Sequence, residues 1–300
     1  MSTRAVHKYS LLKYLLYILP AFALWFVLAI YPHIAIYPIS FYKWNGLPWG
    51  KMTWVGLNNF RNFFFNPSYS RLVWKSILYV VSLVVIQTPL ALLVTTLIHS
   101  MRKGGGLFSG IFFFPVILST VVVSLTWKYM YDPNLGSINA VLSIVGLNAL
   151  KTNWLELDMA PVFAVVIHVW HKIGYPMTII FAGLTTIPDS LYDAANVDGA
   201  NGIQKYFRIT LPLLMPTILR ILLLTIITGG LAFDYSYLLG PVSTNMFVSK
   251  VDTLAVWVYK SGNEGNMGWP AAVGVVLSIV FVLVYIIYHF VSKRTEGKIS

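Results

Sequence analysis

Long apolar stretches alternate with more polar segments along most of the chain. Each stretch holds about 20 mostly apolar residues, which is the length an α-helix needs to cross the hydrocarbon core of a bilayer. The pattern therefore predicts an all-α, polytopic membrane protein with six transmembrane helices. Pro89 and Pro176 lie inside predicted spans, where neighbouring helices can satisfy the backbone groups that proline frees. The spans are predicted at about 14–37, 77–98, 107–130, 160–184, 213–233 and 271–290.

The first apolar stretch has a second interpretation, as a secretory signal peptide. Basic residues precede it, and the Ala-Phe-Ala at 21–23 resembles a cleavage site. The apolar run continues through residues 24–31, however, which makes it longer than the core of a signal peptide. We therefore interpret it as the first membrane helix.

The distribution of lysine and arginine predicts the orientation of the chain. Cytoplasmic segments near the membrane carry an excess of basic residues, and short segments count most. The two sides carry similar totals, but on one side the basic residues are concentrated in short segments. Both termini are therefore predicted to face the cytoplasm, with a tail at 1–13 and another at about 291–300. The ten residues on that side are Arg4, Lys8, Lys13, Arg102, Lys103, Lys205, Arg208, Lys293, Arg294 and Lys298.

Composition supports a membrane protein and excludes several other classes. Hydrophobic residues make up 57% of the chain and charged residues 10%, whereas soluble domains carry roughly 25% charged residues. The net charge of +11 does not indicate nucleic-acid binding, because the basic residues flank apolar stretches instead of forming one basic segment. The absence of cysteine excludes a disulfide framework, thiolate metal sites and a cysteine nucleophile.

The connection at about 185–212 has a helical pattern although it lies outside the predicted spans. Pro188 and Asp189 suit the first turn of a helix, and a short apolar stripe follows at helical spacing. Gly199 can end this helix in the left-handed conformation. A second short helix is predicted next, with Pro212 starting the fifth span. The residues alone leave two alternatives: the stripe packs against a partner, or it lies on the lipid surface.

This connection carries a motif that resembles the cytoplasmic loop of ABC importer permeases. The family pattern is Glu-Ala-Ala, three residues, Gly, nine residues, then Ile-x-Leu-Pro. Residues 192–200 read Tyr-Asp-Ala-Ala-Asn-Val-Asp-Gly-Ala, with Asp193 in place of Glu, and residues 209–212 read Ile-Thr-Leu-Pro. Upstream, residues 182–188 resemble Ala-Gly-Leu-Gln-x-Ile-Pro, with Thr185 in place of Gln. Residues 54–60, Trp-Val-Gly-Leu-Asn-Asn-Phe, resemble a motif of the maltose- and glycerol-phosphate-type first permease subunits.

The resemblance implies the type I ABC importer permease architecture, in a single transmembrane domain over 1–300. It also implies that the loop is a coupling helix that docks on a cytoplasmic ATPase subunit. The chain lacks a Gly-x-x-x-x-Gly-Lys-Ser/Thr loop, so we expect it to be no enzyme and to bind no cofactor, with ATP and Mg on the partner ATPase. The residues implied at the ATPase contact are Tyr192, Asp193, Ala194, Ala195, Asp198, Gly199 and Ala200.

Further partners and a mechanism follow from the same resemblance. It implies a heterodimer with a second, homologous permease, two ATPase subunits and an extracytoplasmic solute-binding protein, all at a bacterial cell membrane. The permease pair would alternate between inward-open and outward-open states. Neutral sugar or oligosaccharide is the first choice of substrate, and an anionic one, such as a uronate oligosaccharide or a sugar phosphate, is the alternative.

Polar residues inside the fourth and fifth spans are candidates for the substrate site. His168, Lys172 and Tyr175 recur at i, i+4 and i+7, on one helical face, and Thr225, Thr228 and Gly229 share a face of the fifth span. In the family, cavity residues fall near these positions. The alternative for each face is helix–helix packing, since Thr and Gly are common at membrane interfaces. No metal site is expected, because no carboxylate near His168 completes one.

Two other classes of protein remain as rivals. An ion-coupled secondary transporter could use Asp234 or Lys172 as its coupling group. That class of protein, however, would leave the helical connection at 185–212 without a function. An intramembrane enzyme is not expected, because the spans contain no His-Glu-x-x-His sequence and no Ser/His/Asp arrangement.

Overall fold

The computed structural model describes residues 3–47, 50–101, 104–240, 249–263 and 265–297. Arg102, Lys103 and Lys298, which contribute to the predicted orientation, lie outside the described residues, as do the ends of both predicted tails. The helices are α1 (Thr3–Trp25), α2 (Tyr31–Ile39), α3 (Asn58–Phe65), α4 (Pro67–His99), α5 (Gly105–Phe113), α6 (Thr120–Met130), α7 (Ser137–Ile144), α8 (Ala160–Lys172), α9 (Gly174–Leu184), α10 (Asp189–Val197), α11 (Gly202–Lys205), α12 (Leu211–Gly230), α13 (Asp234–Leu239), α14 (Leu254–Asn263) and α15 (Gly268–Glu296).

Short irregular helices and one pair of strands complete the described chain. The strands β1 (Tyr42–Lys43) and β2 (Thr53–Trp54) pair antiparallel. Turns of 3-10 helix cover Phe114–Ile117, Asn148–Leu150 and Trp154–Glu156, and π-helical turns cover Phe26–Ile30 and Tyr206–Thr210.

Among the described residues, four helical segments are long and apolar enough to cross a membrane: Leu16–Ile39, Tyr69–His99, Gly202–Leu239 and Gly268–Thr295. The other two predicted spans are broken. The third bends by 93° between Ile117 and Thr120, and the fourth by 53° between Lys172 and Gly174. The described part of the chain therefore contains six candidate spans if each bent pair is one span.

The break in the fourth span follows from Pro176. A proline inside a helix has no N–H to donate, and its ring clashes with the carbonyl group four residues earlier. That carbonyl belongs to Lys172, the last residue of α8. The fourth span therefore changes direction at this proline.

The described chain divides into two compact units. The first, residues 1–66 with 261–278, contains α1 to α3, the strand pair and the start of α15. There Trp54 stacks on Phe41, with ring centroids 5.6 Å apart, and the buried Asn59 Nδ2 donates to the carbonyl oxygens of Ser40 and Tyr42. The motif at 54–60 thus supports the turn after α2. The prediction of one domain over the whole chain stays a prediction.

The second unit, residues 67–260 with 279–300, holds the main core. Inward-facing residues of α4 pack with residues of α8, α9 and α12. Fully buried side chains in this core include Tyr79, Leu83, Val165, Ile180 and Leu214.

The 185–212 connection forms the predicted bent hairpin, with one correction. Pro188 precedes α10, and Gly199 adopts a left-handed φ of +73°. Asn201 then caps α11 in a reciprocal arrangement with Gln204. The predicted separate second helix is wrong, because α11 continues through the π-helical turn into α12. Pro212 cannot bond the Arg208 carbonyl, and the helix widens there without ending.

Candidate functional site

A cavity of about 310 Å³ lies within the second unit, between α4, α6, α8, α9, α12 and α13. Its size falls in the range of roughly 300–1,000 Å³ that is typical of small-molecule sites. Apolar groups form most of its wall, and polar side chains come from each of the surrounding helices. The polar residues are Gln87, Thr120, His168, Lys172, Tyr175, Thr225, Thr228, Asp234 and Tyr235.

Five of the six candidate substrate residues line this cavity: His168, Lys172, Tyr175, Thr225 and Thr228. Gly229 does not. It faces α4, where a Cβ atom would lie 3.2 Å from Leu83 Cδ2, so its small size permits close approach of two helices. The helical spacing thus groups the fourth-span residues correctly. In the fifth span, Thr225 and Thr228 line the cavity, whereas Gly229 packs against α4.

His168 is held by a hydrogen bond behind the cavity wall. Its ring exposes 9%, and its Nδ1 lies 2.9 Å from the hydroxyl of the fully buried Tyr79 on α4. Its ring centroid is 4.9 Å from that of Tyr235. Nε2 has no hydrogen-bond partner among the described residues. This nitrogen therefore remains free for a ligand.

His171, one turn further along α8, has a structural role. Its Nε2 lies 3.1 Å from the carbonyl oxygen of Leu118, which can only accept, so Nε2–H donates. Nδ1 then accepts from the Tyr235 hydroxyl at 2.7 Å. These bonds tie α8 to α13 and to the break in the third span. No group of three metal-ligating His, Asp or Glu side chains occurs in the part of the chain that the structure describes.

Two opposite charges face the cavity. Lys172 is half-buried and Asp234 is exposed, and the carboxylate acts electrostatically on the ammonium group. They form no direct ion pair within the described ranges. The two charges offset each other, so the lining carries little net charge. It can interact with a ligand mainly through hydrogen bonds.

Sequence reasoning missed three polar lining residues. Gln87, Thr120 and Tyr235 lie on other helices than the residues chosen from helical spacing. A signal existed for Gln87, since a polar side chain in the middle of an apolar span is costly unless it faces protein or water. The sequence did not place Asp234 among the substrate residues, and the structure adds it to the lining.

The predicted ATPase-contact residues lie together on the hairpin, with different exposures. Asp193, Ala194, Asp198 and Gly199 are exposed, and Ala195 and Ala200 are half-buried. The exposed apolar side chains beside them are Val197, Ile203 and Phe207.

Tyr192 differs from these neighbours because its side chain turns inward. It packs against the core of the second unit, and its hydroxyl lies 2.9 Å from Thr210 Oγ1, at the base of α12. A second hydrogen bond joins the two arms of the hairpin, α10 and α11, where Lys205 Nζ donates to Asn196 Oδ1 over 2.7 Å. The hairpin is thereby fixed to the helix that lines the cavity.

The architecture is that of a multi-pass helical membrane protein with a partly polar cavity between its helices. Comparison with solved structures agrees: the chain superposes with a TM-score of 0.79, at 22% identity, on a bacterial ABC transporter involved in the import of the acidic polysaccharide alginate, covering 97% of this chain and 98% of that one. No family model matches the chain.

Sequence comparison gives the family. The chain is 30% identical over 276 residues to the arabinooligosaccharides transport system permease protein AraP of Bacillus subtilis, covering 91% of this chain and 86% of the relative. It is also 30% identical over 292 residues to the trehalose/maltose transport system permease protein MalF of Thermococcus litoralis, covering 95% and 96%. The chain belongs to the family of sugar ABC transporter permease proteins. It is therefore a permease subunit of an ABC transporter.

Proposed function

We propose that this chain forms half of the translocation pathway of an ATP-driven importer and moves a neutral sugar or oligosaccharide by alternating access. The observation that carries the proposal is one continuous helical run over residues 202–230, which begins in the hairpin and lines the cavity. A helix rises about 1.5 Å per residue, so Leu211 and Ile221 are about 15 Å apart along α12. A displacement of the hairpin therefore reaches the cavity wall without crossing a loop.

The contacts of the hairpin support transmission of movement. A Cβ atom at Gly183 of α9 would lie 2.9 Å from Leu214 Cδ2, so α9 and α12 pack closely just above the hairpin. Tyr192 bonds the base of α12 from the other arm. Exposed Asp193 and Ala194 offer a small, acidic surface on which an ATPase subunit can dock, with apolar Val197 beside it.

The complete importer would contain this chain, a second homologous permease, two ATPase subunits and an extracytoplasmic solute-binding protein. ATP and Mg would bind only to the ATPase subunits, and closure of that pair would push the coupling hairpins together. Both termini would lie in the cytoplasm of a bacterial cell, on the same side as the hairpin. One structural neighbour was solved in complex with an alginate pentasaccharide-bound periplasmic protein. That complex supports the proposed solute-binding protein as a partner.

Purification and reconstitution test this assignment. The tagged chain would be isolated from its native membrane, its co-eluting subunits identified, and the complex placed in liposomes with its solute-binding protein. We expect ATP-dependent uptake of at least one labelled neutral sugar from a panel of maltose, trehalose and arabinotriose. Uptake by the chain alone, driven by an ion gradient without ATP, would instead make it a secondary transporter.

The charge of the substrate can be tested at Lys172. Lys172→Met keeps the length of the side chain and removes its charge, so we expect uptake of the transported neutral sugar to stay within about threefold. Any uptake of sn-glycerol 3-phosphate by the wild type should be lost, because an anion needs the ammonium group. Initial uptake rates in proteoliposomes measure both effects.

The control for this test is Lys151→Met, which removes an exposed lysine in a loop away from the cavity. It should change neither rate. Unaltered uptake of neutral and anionic compounds alike in Lys172→Met would remove Lys172 from the site, and a selective loss of neutral uptake would contradict its role.

A further inference from the structure

Gln87 occupies an inward-facing position in the middle of α4. Tyr79, Leu83 and Gln87 follow one another at intervals of four residues, which places them on one face of the helix. Tyr79 and Leu83 are fully buried, and Gln87 exposes only 5% of its surface. Tyr79 supports His168 from behind, whereas Gln87 itself lines the cavity.

The Gln87 side chain has no hydrogen-bond partner among the described residues. A carboxamide carries two N–H donors and an oxygen acceptor, and buried polar groups of this kind are almost always hydrogen-bonded. The hydroxyl of Thr225, which exposes 5%, and His168 Nε2 line the same cavity and also have no hydrogen-bond partner among the described residues. Three helices thus present unpaired, uncharged polar groups to one cavity, which is the arrangement that a polyhydroxyl ligand would satisfy.

We propose that Gln87 is a specificity-determining residue of the translocation pathway, whose carboxamide donates to one hydroxyl of the passing sugar and accepts from a neighbouring one. A hydroxyl group is both donor and acceptor, so two adjacent hydroxyls match the two ends of an amide. An uncharged contact also suits a site that must release its ligand in every cycle. The inference rests on the proposed function and adds a contact from α4 to those from α8 and α12.

Thr88 provides a matched control at the next position. It exposes 3%, and its hydroxyl is also without a hydrogen-bond partner in the described structure, but it does not line the cavity. Thr88→Val therefore removes a buried polar group from the same turn of the same helix without touching the pathway. Gln87→Met removes the amide while keeping the length and approximate volume of the side chain.

The experiment measures discrimination between a sugar and its monodeoxy analogues. The probe is whichever of maltose, trehalose and arabinotriose the reconstituted wild-type importer takes up fastest, together with analogues that each lack one hydroxyl. The same solute-binding protein delivers every compound to every variant, so its own preferences cancel when the variants are compared. A structural role for Gln87 would lower all rates equally and leave the ratios unchanged.

We expect the wild type to discriminate by about tenfold against one or two of the analogues, as loss of a buried hydrogen bond predicts. Gln87→Met should lower uptake of the parent sugar about tenfold and abolish that discrimination, and Thr88→Val should behave as the wild type. If Gln87→Met does not assemble, Gln87→Glu keeps the acceptor and loses the donors, and should flatten the ratios in part.

Two results would overturn the proposal in different ways. Wild-type ratios in Gln87→Met, or in Gln87→Glu where only that variant assembles, would refute the role of Gln87 and leave the proposed function intact. Failure of the wild-type importer to take up any neutral sugar would refute the proposed function, and the role of Gln87 with it.

Discussion

Gly199→Val should abolish the stimulation of ATP hydrolysis by the sugar-loaded binding protein, while the chain still inserts into the membrane. Gly199 has a φ of +73° at the bend of the hairpin. A left-handed conformation costs an ordinary residue about 1–2 kcal/mol, and more with a β-branched side chain. A Cβ atom there would meet no atom within 4 Å. The whole effect therefore comes from the backbone, which would move Asp193 and Ala194 away from the docking geometry.

Two variants separate coupling from general destabilisation. Gly199→Asn should retain most of the stimulation, because asparagine tolerates the left-handed region. Gly146→Val places the same strain at a φ of +79°, also in open space, in the connection between the third and fourth spans. It should leave stimulation intact. Wild-type stimulation in Gly199→Val would refute the assignment of the coupling hairpin.

Gly174→Val should prevent accumulation of the folded chain in the membrane. Gly174 begins α9 at the break in the fourth span, and a Cβ atom there would lie 2.8 Å from Phe113 Cα and 2.9 Å from the Phe112 carbonyl oxygen. Both are backbone atoms of the third span, which cannot move aside as a flexible side chain can. Overpacking usually costs about 1–3 kcal/mol, and here it separates two spans. We expect the yield of detergent-stable protein to fall at least about tenfold.

Gly110→Val is the matched control, since Gly110 lies in α5 of the same third span and a Cβ atom there meets nothing within 4 Å. Its yield and its thermal stability, followed by fluorescence-detected size exclusion, should stay near the wild type. Equal yields from Gly174→Val and the wild type would show that the two spans do not approach as closely as described.

The candidate site was predictable where a single helix determines it. His168 and Lys172 interrupt an apolar run at helical spacing, and the cost of burying them in lipid directs them toward protein or water. Gly229 shows the limit of this reasoning. It belongs to the same face as Thr225 by spacing, but α4 covers that part of the face and the cavity does not. The sequence did not single out Gln87, because its importance depends on the absence of a hydrogen-bond partner for its carboxamide among the described residues, which only the tertiary structure shows.

The sequence by itself determined the apolar spans, the bent hairpin and the family motif within it. These features are local: span length, the positive φ that Gly199 permits, and the helical period all follow from neighbouring residues. Only the tertiary structure decided that Gly229 faces α4, that Tyr192 turns inward to Thr210, and that Gln87 meets His168 across one cavity. Each of these depends on which distant helix covers a given face, and packing between helices sets that, because no local pattern encodes it.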